Sequence, residues 1–164
     1  MICSNKRNLF RSIYRNLSTA TANCNFYNLG TVEYLKAWEY QRSLVEYHFH
    51  LKKLEKSFLD SLIITEHPSI YTLGKGSTLS NLKYSIDSDC YKSIIRVERG
   101  GEVTWHGPGM IMIYPIIDLS RHQKSLRWYV NALEEVIIKV LIQLGISAQR
   151  SSINNGVWVG KNKV

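Results

Sequence analysis

Residues 99 to 109 read Arg-Gly-Gly-Glu-Val-Thr-Trp-His-Gly-Pro-Gly, and no other stretch limits the fold so tightly. Four glycines and a proline among these eleven residues exclude a helix there. The flanking runs, Ile94 to Glu98 and Met110 to Leu119, are apolar and read as strands. The segment is thus a glycine-bordered passage between two strands of a sheet. If it is extended, Val103 and Trp105 point to one side, and Glu102, Thr104 and His106 to the other. Glycines let a ligand come close to the backbone. Exposed N–H groups in such a turn can hold a carbonyl or an oxyanion. Arg99 supplies a fixed cation, and Thr104 and His106 supply short polar contacts. The same residues could instead form a hairpin around a buried histidine.

Alternating patterns fill in the rest. Asn25 to Leu29 reads as a short strand ending at Gly30, and Val32 to about Lys56 as a helix with an imperfect apolar face. Phe58 to Thr65 and Ile70 to Leu73 read as strands around a His67-Pro68 turn, and Gly74 to Asp89 as a polar loop. Leu126 to Leu144 is a helix with Ser125 as N-cap and Gly145 as its stop. Its wide apolar stripe is expected to be core, while Glu134-Glu135 reads as a solvated face. Val157 to Val159 is a strand, and Lys163-Val164 looks like the start of another. His48 and His50 are two apart on a helix and make poor joint ligands.

The net charge is +8, and Lys6, Arg7, Arg11 and Arg15 supply half of it before the first acid, Glu33. The arginines recur on one helical face, Leu9, Phe10, Ile13, Tyr14 and Leu17 lie on another, and hydroxyl residues are frequent. This pattern predicts a mitochondrial transit peptide over residues 1–24, and the length leaves residues 25–164 for a single domain. No basic stripe interleaved with aromatics marks the remainder, so nucleic acid is not an expected partner. No apolar run is long enough for a membrane span. The three cysteines show neither metal nor disulfide spacing, and no metal or cofactor is expected.

The glycine segment resembles the signature of the lipoyl(octanoyl) transferases. Two further stretches extend the likeness in the family's order: Thr65-Glu66-His67-Pro68-Ser69-Ile70-Tyr71-Thr72-Leu73-Gly74, and Gly156-Val157-Trp158-Val159-Gly160 followed by Lys163-Val164. Where the family commonly has Gln after His-Gly-Pro-Gly, this chain has Met110. The resemblance implies an α+β fold of the biotinyl/lipoyl protein ligase type, class II synthetase-like, with a mixed sheet and flanking helices, incomplete at the C-terminus. It implies transfer of an octanoyl group from octanoyl-acyl carrier protein to a lysine of lipoyl domains. Those acceptors would be the glycine cleavage H protein and 2-oxoacid dehydrogenase E2 subunits. By the resemblance, the acyl group lies along Arg99, Gly100, Gly101, Glu102, Val103, Thr104, Trp105 and His106, and Lys163 is the catalytic lysine.

The family's cysteine nucleophile lies after that lysine in a Pro-Cys-Gly context, which residues 1–164 do not contain. Cys90 stands among acids, which would raise its pKa, and is no substitute. The expectation is a C-terminally truncated family member that does not turn over by itself. The alternatives are a non-catalytic fragment that binds lipoyl domains or acyl carrier protein and, less favoured by His-Gly-Pro-Gly, an ATP-dependent lipoate or biotin ligase.

Overall fold

The structure, a computed structural model, describes residues 24–78, 94–151 and 155–164. The anticipated transit peptide, apart from Cys24, and Cys90 lie outside the described residues. The chain forms two compact units, one ending at Ile117 and one running Asp118–Val164.

The first unit holds two mixed sheets. Strand β1 (Cys24–Thr31) pairs in parallel with β2 (Asp60–Glu66), which pairs antiparallel with β6 (Met112–Ile116). Central β2 alternates strictly: Ser61, Ile63 and Thr65 are buried and their neighbours half-buried. Two of the three inward groups are polar, and each has a partner. Ser61 Oγ lies 3.3 Å from His48 Nε2, and Thr65 Oγ1 donates to the Gly30 carbonyl at 2.8 Å. Pro115 lies on β6, an edge strand, the kind of strand to which proline is largely confined in sheets. Helix α1 (Tyr34–Lys53) is shorter than the apolar pattern suggested; it ends at Leu54, and Glu55 turns the chain at φ +54°. His48 is buried on it and His50 is exposed, so the two do not act jointly.

In the second sheet, β3 (Ile70–Leu73) runs between parallel β4 (Ile94–Arg96) and antiparallel β5 (Val103–His106). A turn at Gly74–Ser77 packs on the 99–102 loop. Lys75 N donates to Arg99 O at 2.9 Å and Gly74 N to Glu102 O at 3.3 Å. A Cβ on Gly74 would overlap the Gly101 carbonyl oxygen, so only glycine lets the backbones approach this closely.

The second unit is a helix, α2 (Leu126–Gln143), and an antiparallel sheet of β7 (Gln149–Arg150), β8 (Val157–Val159) and β9 (Asn162–Lys163). Ser125 caps α2 as expected, its Oγ accepting from Trp128 N at 3.2 Å. The expectation that the helix stripe is core is corrected. Val136 is 56% exposed and Val140 40%, and Glu134 is the buried residue of the helix. One helix and three very short strands offer too little surface of their own to cover a stripe that wide.

Candidate active site

The segment singled out by its glycines is a loop running into a strand. Residues 103–106 pair antiparallel with β3 in the register Leu73↔Val103, Thr72↔Thr104, Tyr71↔Trp105 and Ile70↔His106. The anticipated alternation holds: His106 is buried, whereas Trp105 is 40% exposed and its indole N–H donates to Ser69 Oγ at 2.9 Å.

Arg99 is fixed more firmly than its sequence position suggests. Its Nη2 donates to Thr72 Oγ1 (2.7 Å), Thr72 O (2.8 Å) and Glu102 O (2.8 Å), and its Nη1 to Gly100 O (3.0 Å). Its Nε reaches Thr72 Oγ1 at 3.2 Å. A guanidinium has five N–H donors, so nearly all are taken by this loop and by β3. Arg99 therefore shapes the Gly100–Glu102 turn and adds positive charge to it.

Four side chains around this segment were not singled out as site residues from sequence. Thr72 is fully buried, with its hydroxyl 3.0 Å from His106 Nε2. His67 is fully buried as well; its Nδ1 lies 2.7 Å from Val32 O and its Nε2 2.9 Å from the Tyr114 hydroxyl. Since a carbonyl only accepts, Nδ1 carries the proton, and in the neutral ring Tyr114 donates to Nε2. The Tyr34 ring stands 5.2 Å from both imidazoles, which are 6.0 Å apart. Burial, then His67 and then Arg99, lower the His106 pKa to about 4, so the ring is neutral near pH 7. Burial raises the Tyr114 hydroxyl well above the usual phenol range, with Tyr34 adding to it. Burial also raises Tyr34, against an opposing pull from Arg99. His67 and Thr72 sit inside the second recognised stretch, which was their available signal; Tyr34 and Tyr114 had none.

Lys163 belongs to the second unit. It lies on β9 opposite Trp158, and its side chain crosses Gly156, where an added Cβ would overlap the Lys163 Cε. Gly156 has φ +113°, and its N–H donates to Glu134 Oε1 at 2.6 Å. Glu134 Oε2 also accepts from Arg150 Nε at 3.2 Å, and Arg150 Nη2 reaches Glu135 Oε2 at 2.8 Å. Glu134 is thus a buried anchor for the turn beneath Lys163, which corrects the reading of it as solvated. The structure gathers Arg99 to His106 in one unit and Lys163 in the other.

Cys24 is exposed at the start of β1; partial burial and then Asp60 raise its pKa, which disfavours the thiolate. Among the described residues, no three His, Cys, Asp or Glu side chains converge as a metal site. No helix among them is long and apolar enough to cross a membrane.

The family model for the lipoyl protein ligase A/B catalytic domain matches residues 33–164. An octanoyltransferase of Nostoc punctiforme is 46% identical over 141 residues, which are 86% of this chain and 59% of that protein. The chloroplastic octanoyltransferase LIP2p2 of Arabidopsis thaliana is 44% identical over 134 residues, 81% of this chain and 48% of that protein. The chain therefore spans about half to three-fifths of the length of these relatives. Protein Ta0514 of T. acidophilum, a candidate lipoate protein ligase solved with bound lipoic acid, superposes with a TM-score of 0.56. It is 16% identical, over 87% of this chain and 60% of that one, a likeness of fold alone. The α+β ligase-like fold is as anticipated. The mitochondrial destination is corrected: the plant relative is chloroplastic and the Nostoc relative is cyanobacterial, which points to a plastid or bacterial origin. An Arg-rich, hydroxylated, acid-poor leader suits plastid and mitochondrial import alike, so composition could not separate them.

Proposed function

The chain belongs to the lipoyl protein ligase A/B catalytic-domain family, and from that membership we propose that it forms the acyl-binding part of an octanoyltransferase. Such an enzyme moves an octanoyl group from octanoyl-acyl carrier protein to a lysine of a lipoyl domain. The H protein of glycine cleavage and the E2 subunits of 2-oxoacid dehydrogenases are the acceptors. The acyl chain and its thioester carbonyl lie along Arg99 to His106. The observation that carries this reading is the conformation of that segment: a backbone turn rigidified by its own arginine, leading into a strand whose polar side is fixed from within. Preorganised N–H groups and a fixed cation are what a thioester carbonyl needs as charge develops on its oxygen.

Lys163 is the lysine that assists the nucleophile. An ammonium near a thiol favours the thiolate, and a positioned lysine can act in proton transfer with the incoming amine. Glu134 supports this by holding Gly156, over which Lys163 lies. Acyl transfer then proceeds in two steps through an enzyme thioester, without ATP. Residues 1–164 hold no Pro-Cys-Gly triplet, so this polypeptide by itself binds the donor without transferring the group.

The test incubates the purified chain with octanoyl-acyl carrier protein and H protein. Expected are tighter binding of octanoylated than of unacylated carrier and no octanoyl-lysine by mass spectrometry. Equal binding of the two carriers would overturn the acyl-binding reading. Transfer above background would overturn the claim of no turnover, and ATP-dependent formation of lipoyl-adenylate would assign a ligase instead.

A further inference from the structure

We propose that Thr72 is a positioning residue of this site: its buried hydroxyl holds His106 as the Nδ1–H tautomer and at the same time anchors the Arg99 guanidinium. The functional weight of this inference rests on reading Arg99 to His106 as the acyl-binding wall; its structural content does not.

A hydroxyl has one proton and two lone pairs. Thr72 Oγ1 has Arg99 Nη2 at 2.7 Å and Arg99 Nε at 3.2 Å, and an arginine only donates. Nη2 divides two hydrogens among three acceptors, so the Nη2 and Nε approaches together leave both lone pairs of Oγ1 facing arginine donors. The remaining proton can go to His106 Nε2 at 3.0 Å or to Thr104 O at 3.5 Å, and the second distance is too long for a good hydroxyl bond. Donation to His106 requires Nε2 to be unprotonated, so the neutral ring carries its hydrogen on Nδ1. That N–H lies 3.4 Å from Met112 Sδ, a weak acceptor.

The opposite assignment fails on the same count. An Nε2–H would meet a hydroxyl whose lone pairs are already occupied, and the Thr72 proton would be left with the long contact alone. An imidazolium fails likewise, with a guanidinium bound to the same hydroxyl. Thr72 sits at the centre of β3, so its position is set from both flanks by Ile95 of β4 and Thr104 of β5. One side chain thus fixes the first and last members of the 99–106 segment relative to each other. Its main-chain carbonyl adds a second hold on Arg99 at 2.8 Å. Serine keeps this hydroxyl. Valine keeps the shape but leaves the arginine donors and the His106 acceptor without their partner.

The test uses the full chain labelled with 15N-histidine, read by long-range 1H–15N correlation at neutral pH. His106 is assigned by its loss in His106→Gln. The expected wild-type signature is a neutral ring protonated on Nδ1, retained in Thr72→Ser and lost in Thr72→Val. Binding of octanoyl-acyl carrier protein should weaken about 10-fold in Thr72→Val and recover to within about 3-fold in Thr72→Ser. A wild-type ring protonated on Nε2, or a Thr72→Val signature equal to wild type, would overturn the proposal. Should Thr72→Val not fold, the wild-type and Thr72→Ser signatures decide it alone. An Nδ1–H signature in a protein that shows no preference for octanoylated carrier would leave Thr72 in this role and refute the functional reading instead.

Discussion

Replacing Gly156 with alanine probes how Lys163 is held, because one added carbon acts in two separable ways. At φ +113° a side chain is strained whatever room it has, at a cost of about 1–3 kcal/mol. The new Cβ also overlaps Lys163 Cε, and the exposed lysine must leave its rotamer or swing off β8, for about 0.5–1.5 kcal/mol more. Gly156→Ala should therefore destabilise by about 1.5–4.5 kcal/mol. Lys163→Ala alone should fall within about 0.5 kcal/mol of wild type, since the side chain is exposed. In the Lys163→Ala background only the backbone strain remains, so the alanine at 156 should cost about 0.5–1.5 kcal/mol less than it does in wild type. Urea unfolding followed by tryptophan fluorescence reads this, with Trp158 opposite Lys163 as the local reporter. A coupling indistinguishable from zero would mean that Lys163 does not lie over Gly156. A total cost below about 0.5 kcal/mol would refute the strain as well.

Glu134→Ala should cost about 1–3 kcal/mol and speed hydrogen exchange at the Gly156 amide, because it strips a half-buried N–H of a charged acceptor. Glu134→Gln should cost about 1 kcal/mol, since the Arg150 pair it weakens is 42% exposed on the arginine side. Unchanged amide exchange in the alanine variant would show that the anchor is not formed. Tyr114→Phe leaves His67 Nε2 buried without its donor and should lower stability by about 1–3 kcal/mol in urea titrations; an effect near zero would reassign that contact. His106 is neutral in the folded chain, with a pKa of about 4 against 6.5 for an unperturbed histidine. Between these values the unfolded chain takes up the proton and the folded one does not, so its contribution is complete above pH 6.5 and falls away toward pH 4. Its slope should diminish in His106→Gln, and an identical pH profile for the two proteins would count against it.

Elements written in local chemistry were legible in the sequence. Ile70–Leu73 and Val157–Val159 begin and end where the alternation put them, and α2 starts at its serine cap. Strand β7, two exposed polar residues, carries no hydrophobic signal and exists only because Val157 and Trp158 pair with it. Glu134 shows a different limit. From sequence it is one of two adjacent acids on a helix, and its burial follows from an amide 22 residues later that turns toward it.

The 99–106 segment combines both situations. Its residue types announce a rigid polar turn, but which hydroxyl meets which imidazole depends on how β3 and β5 align, across more than 30 residues of chain. A slip of one residue would set Tyr71 or Leu73 opposite Thr104 and turn the Thr72 hydroxyl to the other face of the sheet. The Gly74 turn, closing on the 99–102 loop with no room for a side chain, works against that slip. The close glycine packing around this segment therefore serves register. Gly74→Ala should accordingly release Arg99 and Thr72 from each other even though it touches neither side chain.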